Sequence, residues 1–584
     1  MTIAGWLTLA VLAVVVIASA SDRVDPTFAL GGGVGILLLA GVLSPERALA
    51  GFANPAVLII GLLFILVGAL ERSPWLRWFS GLLFGDGRER LGLRGLAPVA
   101  LLSAFLSNAT VIAVLMPAVR SWGRRHRRGI STLMMPLGFA ATLGGLLTLI
   151  GTASNLVVNG LLIQHGDAGL GLFEIAAVGL PVVVVGVLYL AVAGPHLLPD
   201  HQDPLGELDA NPREYLGWLR VAPNGPLAGQ TIGSLRHLKD LYLAGVERDG
   251  RLHGPAEPTE LLMGGDVLAF VGRVDRIAEL AAEAGLQPVD EGGDGAWGTA
   301  DGFHLAEVVV SPSSPVVGRN IRETGFRGRY DAVVLAVHRH GEHLRQKIGD
   351  IVVRPGDTLL VAAGSSFLER WRYARDFYLV STLGRVPTAV TRWDWLEPAV
   401  LAAVVGAVAL GLLPLLAAVV LGVLLLVALG RLRPADVWAA VHWPTLVMIA
   451  ASIGMGHALA DSGLAATVVR VLLHSPSHLG SAVLITAVLL VTALLTEVLD
   501  NPAAAALVFP VAATVATHGG VSLHGAAVAV AVGASTSFLT PFGYHGNVMI
   551  SGAGGYRVRD FVRFGLPLKL LVLATAALLI PLIW

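Results

Sequence analysis

Two apolar segments far apart in the chain are each interrupted by a small polar cluster, and the clusters recur at a constant spacing. Leu106-Ser107-Asn108-Ala109-Thr110 interrupts the apolar run 96–119, and Asp500-Asn501-Pro502-Ala503 interrupts a later run. The two asparagines lie 393 residues apart (501 − 108), and Pro117 and Pro510 repeat that offset. Non-helical backbone at membrane depth persists only where protein or a wet cavity surrounds it. The clusters therefore predict two matching helix breaks inside a membrane protein.

A second pair of polar clusters keeps nearly the same spacing. Gly151-Thr152-Ala153-Ser154-Asn155 corresponds to 541–547, and Asn547 follows Asn155 by 392 residues. Interrupted apolar segments at matching places in two halves are the best sequence indication of a secondary transporter's binding site.

Charged residues are scarce in this chain. Of its 584 residues, 14% are charged and 55% are hydrophobic, whereas a soluble protein carries about 25% charged residues. The formal net charge of −1 argues against a nucleic-acid partner. There is no cysteine, which excludes disulfides and thiolate chemistry. Because no nucleophile–base set or metal-ligand cluster occurs, we do not expect an enzyme.

The apolar runs predict a polytopic α-helical membrane protein with two similar halves. Runs of roughly 20 apolar residues are long enough to cross about 30 Å of hydrocarbon, so we interpret them as spans. On this basis each half has three spans, a re-entrant hairpin, a broken span and one more span. The predicted segments are 3–20, 27–43, 53–70, 74–84 (interfacial), 95–119 (hairpin), 131–163 (broken), 172–195, 395–411, 413–429, 441–460, 464–474 (interfacial), 481–516 (hairpin), 525–553 (broken) and 563–583.

The placement of arginine predicts the orientation of these spans. If the N-terminus is outside, the loops on the inside hold most of the arginines, including the lipid-contacting cluster 120–128. The outside loops then hold only Arg47 and Arg470. Each half crosses an odd number of times, so the two halves form an inverted repeat. Lys569 near the inner end of the last span is expected to snorkel to the surface.

The segment between the halves is richer in charge and is itself a repeat. Pro226-Leu227-Ala228-Gly229 matches Pro315-Val316-Val317-Gly318, and Gly265-Asp266 matches Gly356-Asp357. Strand and turn signals predict two small α/β domains, with a helix at 275–284 in the first copy and a linker between them at 287–302. The Gly-Asp pairs are interpreted as turns rather than ligand sites. The predicted division is 1–199 first membrane repeat, 200–290 and 291–390 cytoplasmic domains, and 391–584 second membrane repeat.

The membrane part resembles the divalent anion/sodium symporter (DASS) family, and most of all its sulfate-linked branch. The resemblance is carried by residues 107–110, the 151–155 break, 496–503 with Pro510, the 540–547 break and Gly554-Gly555-Tyr556. The inserted pair resembles C-terminal regulator-of-K⁺-conductance modules (RCK-C or TrkA-C). The resemblance implies hairpin tips that meet the broken spans near the membrane midplane, a homodimer, and elevator-like alternating access.

The residue types at the breaks suit an anion and a cation. Helix N-termini and neutral donors hold an oxyanion without trapping it, and unwound backbone offers oxygen ligands to Na⁺. The predicted anion site comprises Ser107, Asn108, Thr110, Asn501, Ala503, His545 and Asn547. The predicted cation site comprises Ser107, Asn108, Gly151, Thr152, Asn155, Asp500, Asn501, Thr540 and Gly543. Taken singly, small polar residues in membrane helices also serve packing.

Two acidic residues lie next to the second tip. A continuous helix would place Glu497 and Asp500 on one face. Intramembrane acids are functional by default, and Asp500 is the better candidate for a cation or proton site. The alternative for either residue is a carboxylate paired within the bundle.

The leading hypothesis is sodium-coupled symport of a divalent oxyanion, sulfate ahead of C4-dicarboxylates, by a multi-pass protein of a bacterial-type inner or plasma membrane. The cytoplasmic modules would regulate transport and bind a nucleotide or an ion. An ion channel or exchanger gated by such modules is the alternative. A K⁺ filter of the T-V-G-Y-G type is absent from the sequence, and Asp500 is the local support for an exchanger.

Overall fold

The structure is a computed structural model. It describes residues 2–20, 24, 26–85, 92–126, 129–199, 216–223, 225–232, 242–248, 251–253, 259–271, 286–288, 303–311, 314–339, 342–344, 348–364, 367–371, 376–382, 392–463, 480–541 and 543–584. Three predicted features lie wholly or mostly outside these residues: the linker at 287–302, the helix at 275–284 and the second interfacial piece at 464–474.

The chain begins with apolar helices, and many of them start at proline or asparagine. Proline suits the first turn of a helix because the amide that it lacks would have no helical partner there. The helices before position 200 are α1 (Ile3–Ala20), α2 (Pro26–Leu39), α3 (Pro45–Leu49), α4 (Pro55–Arg72), α5 (Pro74–Gly85), α6 (Gly92–Ser103), α7 (Asn108–His126), α8 (Ser131–Gly144), α9 (Ala153–Gln164) and α10 (Ala176–Leu197).

Strands occupy the middle of the chain. They are β1 (Leu216–Val221), β2 (Tyr242–Arg248), β3 (Arg251–His253), β4 (Val267–Val271), β5 (Leu286–Pro288), β6 (Phe303–Val310), β7 (Ala332–Arg339), β8 (Glu342–His343), β9 (Thr358–Gly364) and β10 (Phe377–Thr382), with short helices α11 (Phe326–Tyr330) and α12 (Phe367–Trp371). They form two antiparallel sheets with the orders β3-β2-β4-β1-β5 and β8-β7-β9-β6-β10. The orders are the same, since each strand of the second sheet follows its counterpart by five places.

The Gly-Asp pairs of both sheets are held by the same arginine clamp. Asp266 accepts hydrogen bonds from Arg248 Nε (2.8 Å) and Nη2 (2.7 Å), and Asp357 accepts both from Arg339 at 2.7 Å. Both carboxylates are almost fully buried. A planar guanidinium matches a carboxylate with two parallel bonds, so each aspartate fixes its turn to a neighbouring strand. This geometry accounts for the Gly-Asp pairs as turn chemistry.

A second set of apolar helices follows the strands. It consists of α13 (Leu396–Ala409), α14 (Leu415–Ala428), α15 (Pro434–Ala440), α16 (Trp443–Asp461), α17 (Ser481–Leu495), α18 (Asn501–Gly519), α19 (Leu523–Ala534), α20 (His545–Gly554) and α21 (Val558–Ile583). The breaks recur in the same order in both sets. In particular, α7 begins at Asn108 and α18 at Asn501, the asparagines at the tips of the two hairpins. The gaps α8–α9 and α19–α20 contain the second pair of polar clusters, which we call the breaks.

Few of the helices are long enough to cross a membrane alone. Among the described residues, the stretches Pro45–Arg72, Ala176–Leu197 and Val558–Ile583 have the length and hydropathy to do so, and the apolar stretches of the other apolar helices are 10–17 residues long. A 12-residue helix rises about 18 Å, so two such halves in succession are needed for about 30 Å of hydrocarbon. The breaks are thus the reason that the helices are short.

Two ion pairs join the sets of helices in a reciprocal way. Arg47 in α3 contacts Asp461 at the end of α16, while Arg72 at the end of α4 contacts Asp436 in α15, with Nη1 2.6 Å from Oδ1. Asp436 follows Arg47 by 389 residues, and Asp461 follows Arg72 by the same number. Each pair is therefore the counterpart of the other with the charges exchanged.

The short helix after each break packs against helices of the other set. Helix α9 packs against α18 and α19, while α20 packs against α7 and α8. Tyr556, which follows α20, is fully buried, and its hydroxyl donates to the carbonyl oxygen of Ser131 and accepts from the amide of Met135. The start of α8 is thereby tied to the opposite set. The core is continuous across both sets.

A polar link at one loop also joins the two sets. His524 in α19 bonds through its two ring nitrogens to Asp167 Oδ1 (2.8 Å) and Glu174 Oε1 (2.7 Å), which lie between α9 and α10. The hydrogen bond from His524 holds the pKa of Asp167 below its usual value.

Candidate functional site

The asparagine at each hairpin tip is anchored by a hydroxyl of its own hairpin. Ser103 Oγ donates to Asn108 Oδ1 (2.7 Å), and Thr496 Oγ1 donates to Asn501 Oδ1 (2.8 Å). Asn108 and Asn501 are 3% and 1% exposed. The anchors also lie 393 residues apart (496 − 103). Neither was among the predicted site residues, although the same offset that revealed the asparagines identifies them.

The asparagine after each break closes the break through its amide group. Asn155 Nδ2 donates to the carbonyl oxygens of Gly145 and Thr148, both at 3.0 Å. Asn547 Nδ2 donates to those of Ser537 (2.8 Å) and Thr540 (3.1 Å). Because a carbonyl can only accept, these contacts fix which end of each amide is nitrogen. The oxygens Oδ1 must then point away from the backbone loop that the amide closes.

Glycines bring each break against the hairpin turn of the same set. A Cβ atom on Gly151 would lie 2.8 Å from the carbonyl oxygen of Gly145 and 3.0 Å from that of Ala104. A Cβ atom on Gly543 would lie 2.5 Å from the Thr496 carbonyl oxygen. No side chain fits at either place. Tip and break are therefore in backbone contact.

Four buried polar atoms at the tips and breaks lack a hydrogen-bond partner among the described residues. They are Asn155 Oδ1, Asn501 Nδ2, Ser537 Oγ and Asn547 Oδ1. An unsatisfied buried polar atom costs about 1–3 kcal/mol, so each of the four is a position where water or a bound solute would be stabilising. The set contains two amide oxygens that can only accept, one amide nitrogen that donates, and one hydroxyl that can do both.

The two tip-and-break units touch each other. The Tyr544 side chain of the second break lies beside Asn108 of the first tip. Ser154 Oγ at the start of α9 lies 3.3 Å from Ser535 Oγ at the end of α19. The first tip therefore meets the second break, and the start of α9 meets the end of α19, through Tyr544 and Ser535.

A buried ion pair holds the backbone of the second break. The Glu497 carboxylate accepts the backbone N–H groups of Phe538 (3.1 Å), Leu539 (3.0 Å) and Thr540 (3.1 Å). Lys569 Nζ of α21 lies 2.6 Å from Glu497 Oε1, and both residues are less than a tenth exposed. The expectation that Lys569 snorkels is wrong, because its ammonium is buried against this carboxylate.

Glu497 and Asp500 do not share a helix face. Helix α17 ends at Leu495 and α18 begins at Asn501, and the residues between them form turns. Asp500 is the N-cap residue of α18, yet its side chain caps no backbone amide. It is half-buried and lies close to Tyr544. Glu497 is thus the carboxylate paired within the bundle, and Asp500 is the acid left at the tip.

An acidic residue that was not predicted lies at the first tip. Glu71 Oε1, near the end of α4, accepts hydrogen bonds from Ser107 Oγ (2.7 Å) and from the Ser107 amide (3.4 Å). Ser107 Oγ also lies 2.7 Å from Thr110 Oγ1. The only sequence signal for Glu71 was an acid at the end of an apolar run.

The remaining predicted residues occupy different surroundings. Ala503 is buried in the first turn of α18, and Thr152 is the N-cap residue of α9, although its hydroxyl caps no amide. Thr540 Oγ1 donates to the Glu497 carbonyl oxygen and accepts from the Gly543 amide. His545, the first residue of α20, has an exposed side chain. It is the one predicted residue of the second break that faces away from the packed interior.

These features define a class. The protein has two sets of apolar helices, and the breaks in them contain buried polar atoms without a partner among the described residues. This arrangement is typical of a multi-pass membrane transporter. The chain belongs to the citrate transporter family, whose family model matches residues 7–533.

Three relatives illustrate what the chain is similar to, and two of them are named as transporters. The putative sulfur deprivation response regulator of Chlamydomonas reinhardtii is 36% identical over 566 residues, which is 94% of this chain and 96% of that protein. Sodium/sulfate cotransporter 2 of the same alga is 24% identical over 757 aligned positions, covering 92% and 85%. The sodium-dependent dicarboxylate transporter SdcS of Staphylococcus aureus (strain USA300) is 27% identical over 175 residues, covering 26% and 33%.

The tight contact between tip and break makes a prediction about stability. In Gly543→Ala the new Cβ would lie 2.5 Å from the Thr496 carbonyl oxygen and 2.6 Å from Ser537 Oγ, and we expect a loss of about 1–3 kcal/mol. The control is Gly406→Ala in α13, where a Cβ meets nothing within 4 Å. Thermal unfolding in detergent measures both. A Gly543→Ala protein as stable as Gly406→Ala would show that tip and break are not in contact.

Proposed function

We propose that the chain is a secondary active transporter that couples Na⁺ to the uptake of a divalent oxyanion, with sulfate as the preferred substrate. The observation that supports this most strongly is the group of four orphaned polar atoms at the duplicated tips and breaks. The group contains hydrogen-bond donors, which suit an anion, and acceptors, which suit a cation. It therefore matches the binding of an oxyanion together with Na⁺.

We assign the cation to the amide oxygens of the breaks. Na⁺ takes oxygen ligands, and Asn155 Oδ1 and Asn547 Oδ1 are acceptors whose amide nitrogens are already committed. The predicted cation residues Ser107, Asn108, Gly151, Thr152, Asp500, Asn501, Thr540 and Gly543 surround the same loops. Asn547 was predicted as an anion ligand, and its equivalence to Asn155 favours the cation instead.

We assign the anion to the unpaired donors at the second tip and the second break. Asn501 Nδ2 and the Ser537 hydroxyl are buried and unpaired, and α7 and α18 direct their N-termini to this region. Lys569, the buried lysine described beside the second break, is already paired with Glu497 and does not supply a charge for the anion. Neutral donors suit a compact oxyanion that must be released again. Ser107, Asn108, Thr110, Ala503 and His545 remain the other proposed anion contacts.

We propose sulfate ahead of a dicarboxylate because the relatives named for these two substrates align with very different shares of this chain. The relative named as a sodium/sulfate cotransporter aligns with most of this chain, whereas the one named as a dicarboxylate transporter aligns with about a quarter of it. C4-dicarboxylate symport remains the second candidate, supported by that partial similarity.

We further propose an inverted-repeat arrangement with elevator-like movement and a homodimer. The reciprocal ion pairs support the inversion, because arginine placement puts Arg47 and Asp461 outside and Arg72 and Asp436 inside. The two five-stranded sheets would be RCK-C-like regulatory domains, 200–290 and 291–390, on the cytoplasmic side. The matched strand orders support their common origin.

The proposed function is tested by uptake of labelled sulfate into proteoliposomes. We expect uptake that requires an inward Na⁺ gradient and that excess succinate inhibits weakly. Strong inhibition by succinate would favour the dicarboxylate alternative. Uptake that persists without any cation gradient would contradict the symporter, and flux of monovalent cations without sulfate would favour a channel.

Asp500 gives a prediction about coupling. An ionised carboxylate at the tip would repel a divalent anion until a cation binds, so the cation should bind first. We expect Asp500→Asn to weaken the dependence of uptake on Na⁺, or to remove its pH dependence if H⁺ is the coupling ion. The measurement is uptake against Na⁺ concentration at two pH values. Curves identical to wild type would make Asp500 a structural residue.

A further inference from the structure

The two sheets differ in what their equivalent turns touch. The turn before β4 is centred on Gly265, and an added Cβ there would meet nothing within 4 Å. The equivalent turn before β9 is centred on Gly356, where an added Cβ would lie 3.1 Å from Val548 Cγ1 in α20. Both glycines have positive φ, +99° and +81°. The turns therefore share a conformation, and the second one contacts a helix of the proposed transport site.

The contact on α20 is made backbone to backbone. A Cβ atom on Gly552 would lie 2.6 Å from the Gly356 carbonyl oxygen and 3.4 Å from Thr358 Oγ1. Thr358 is buried, and its Oγ1 has no partner among the described residues. Its equivalent in the first sheet is Val267. Only glycine at 552 lets the turn approach this closely.

The second sheet is also held to the membrane helices at other points. Val309 of β6 is fully buried in the same hydrophobic cluster as the apolar helices, and β10 contacts α7. The turn itself is rigid, because the Gly356 amide donates to the Val310 carbonyl oxygen (2.9 Å) and Arg339 clamps Asp357. The sheet thus presents a fixed loop to α20.

We propose that the Gly356–Thr358 turn is an internal latch on α20, and that the second sheet inhibits transport while the latch is docked. Helix α20 begins directly after the second break and carries Asn547, and it packs on α7 and α8 of the other set. A rigid turn packed against Val548 and Gly552, with the same sheet also touching α7, resists any movement of α20 that the transport cycle requires. This proposal rests on the proposed function, since its effect is read as a transport rate.

The latch is tested by variants that undock it without disturbing the helix. Gly552→Ala adds a methyl group that must displace Gly356, while alanine favours a helix interior by about 1 kcal/mol over glycine. Gly356→Ala pushes on Val548 from the other side. Gly265→Ala is its matched control, because it carries the same positive-φ strain in the first sheet and touches nothing.

Docking itself is read with a thiol reporter. The chain has no cysteine, so Val548→Cys supplies a single thiol that maleimide labels in proportion to its exposure. We expect Gly552→Ala and Gly356→Ala to raise the labelling rate and the initial rate of sulfate uptake several-fold, and Gly265→Ala to change neither. Thermal unfolding confirms that the variants are folded.

Several outcomes would overturn the latch. Unchanged labelling in both undocking variants would mean that the turn is not seated on α20. Faster labelling with unchanged or lower uptake would mean that the contact does not inhibit. If the unmodified protein transports no sulfate, the proposed function fails instead, and the labelling result still decides whether the turn is docked.

Discussion

Replacing Glu497 by alanine is expected to produce the largest loss of stability of any single substitution in the membrane part. The change removes the acceptor of three backbone N–H groups and leaves the Lys569 ammonium buried without its counter-charge. Breaking a buried ion pair by removing one partner costs about 3–5 kcal/mol. The second break should lose its shape, and uptake should fall to background.

The first set of helices supplies the control for this prediction. Positions 393 and 392 residues before Glu497 and Lys569 are Ala104 and Ala177, so the first break has no equivalent of this ion pair at those two positions. The double variant Glu497→Ala/Lys569→Ala copies that arrangement, and we expect it to be more stable than Glu497→Ala alone. A double-mutant cycle by thermal unfolding measures the coupling. Simply additive losses would show that the two residues do not depend on each other.

Asn108→Ala and Asn501→Ala are expected to abolish uptake while the protein remains folded and keeps its oligomeric state. Each change removes an amide from the proposed site. Asn108→Ala also leaves the Ser103 hydroxyl without this acceptor, a cost of about 1–3 kcal/mol, whereas in Asn501→Ala the Thr496 hydroxyl keeps the Ala534 carbonyl oxygen at 2.8 Å. The measurements are sulfate uptake, gel filtration and thermal unfolding.

Matched variants separate the site role from packing. Ser103→Ala and Thr496→Val remove the anchors and keep the asparagines, so we expect reduced affinity for the anion or for Na⁺ rather than complete loss. Wild-type uptake by both asparagine variants would remove Asn108 and Asn501 from the site.

The tips and breaks are predictable from the sequence because each is marked by polar residues inside an apolar run. Asn108, Asn155, Asn501 and Asn547 interrupt apolar runs, and the constant offset separates them from ordinary packing residues. All four are buried and make equivalent contacts in pairs. Whether they bind ions stays a prediction. The predicted class, a mostly helical membrane transporter, is supported by the family match.

Contacts between distant segments were not predictable in the same way. Lys569 pairs with a residue 72 positions away, and its place near the end of an apolar helix suggested the lipid surface instead. Helical spacing placed Glu497 beside Asp500, because the turn between α17 and α18 has no strong breaker before Pro502. Likewise, nothing in the residues 356–358 indicates that they contact α20.

The exchanged charges of the reciprocal ion pairs decide which halves can assemble. Two copies of the first half in this arrangement would bring Arg47 against Arg72, and two copies of the second half would bring Asp436 against Asp461. Like charges in contact oppose association, so these positions disfavour pairing of either half with a copy of itself. During synthesis Arg72 precedes its partner Asp436 by 364 residues, which takes roughly 20–70 s at about 5–20 residues per second. Throughout that interval the nascent first half is protected from pairing with a neighbouring copy of itself.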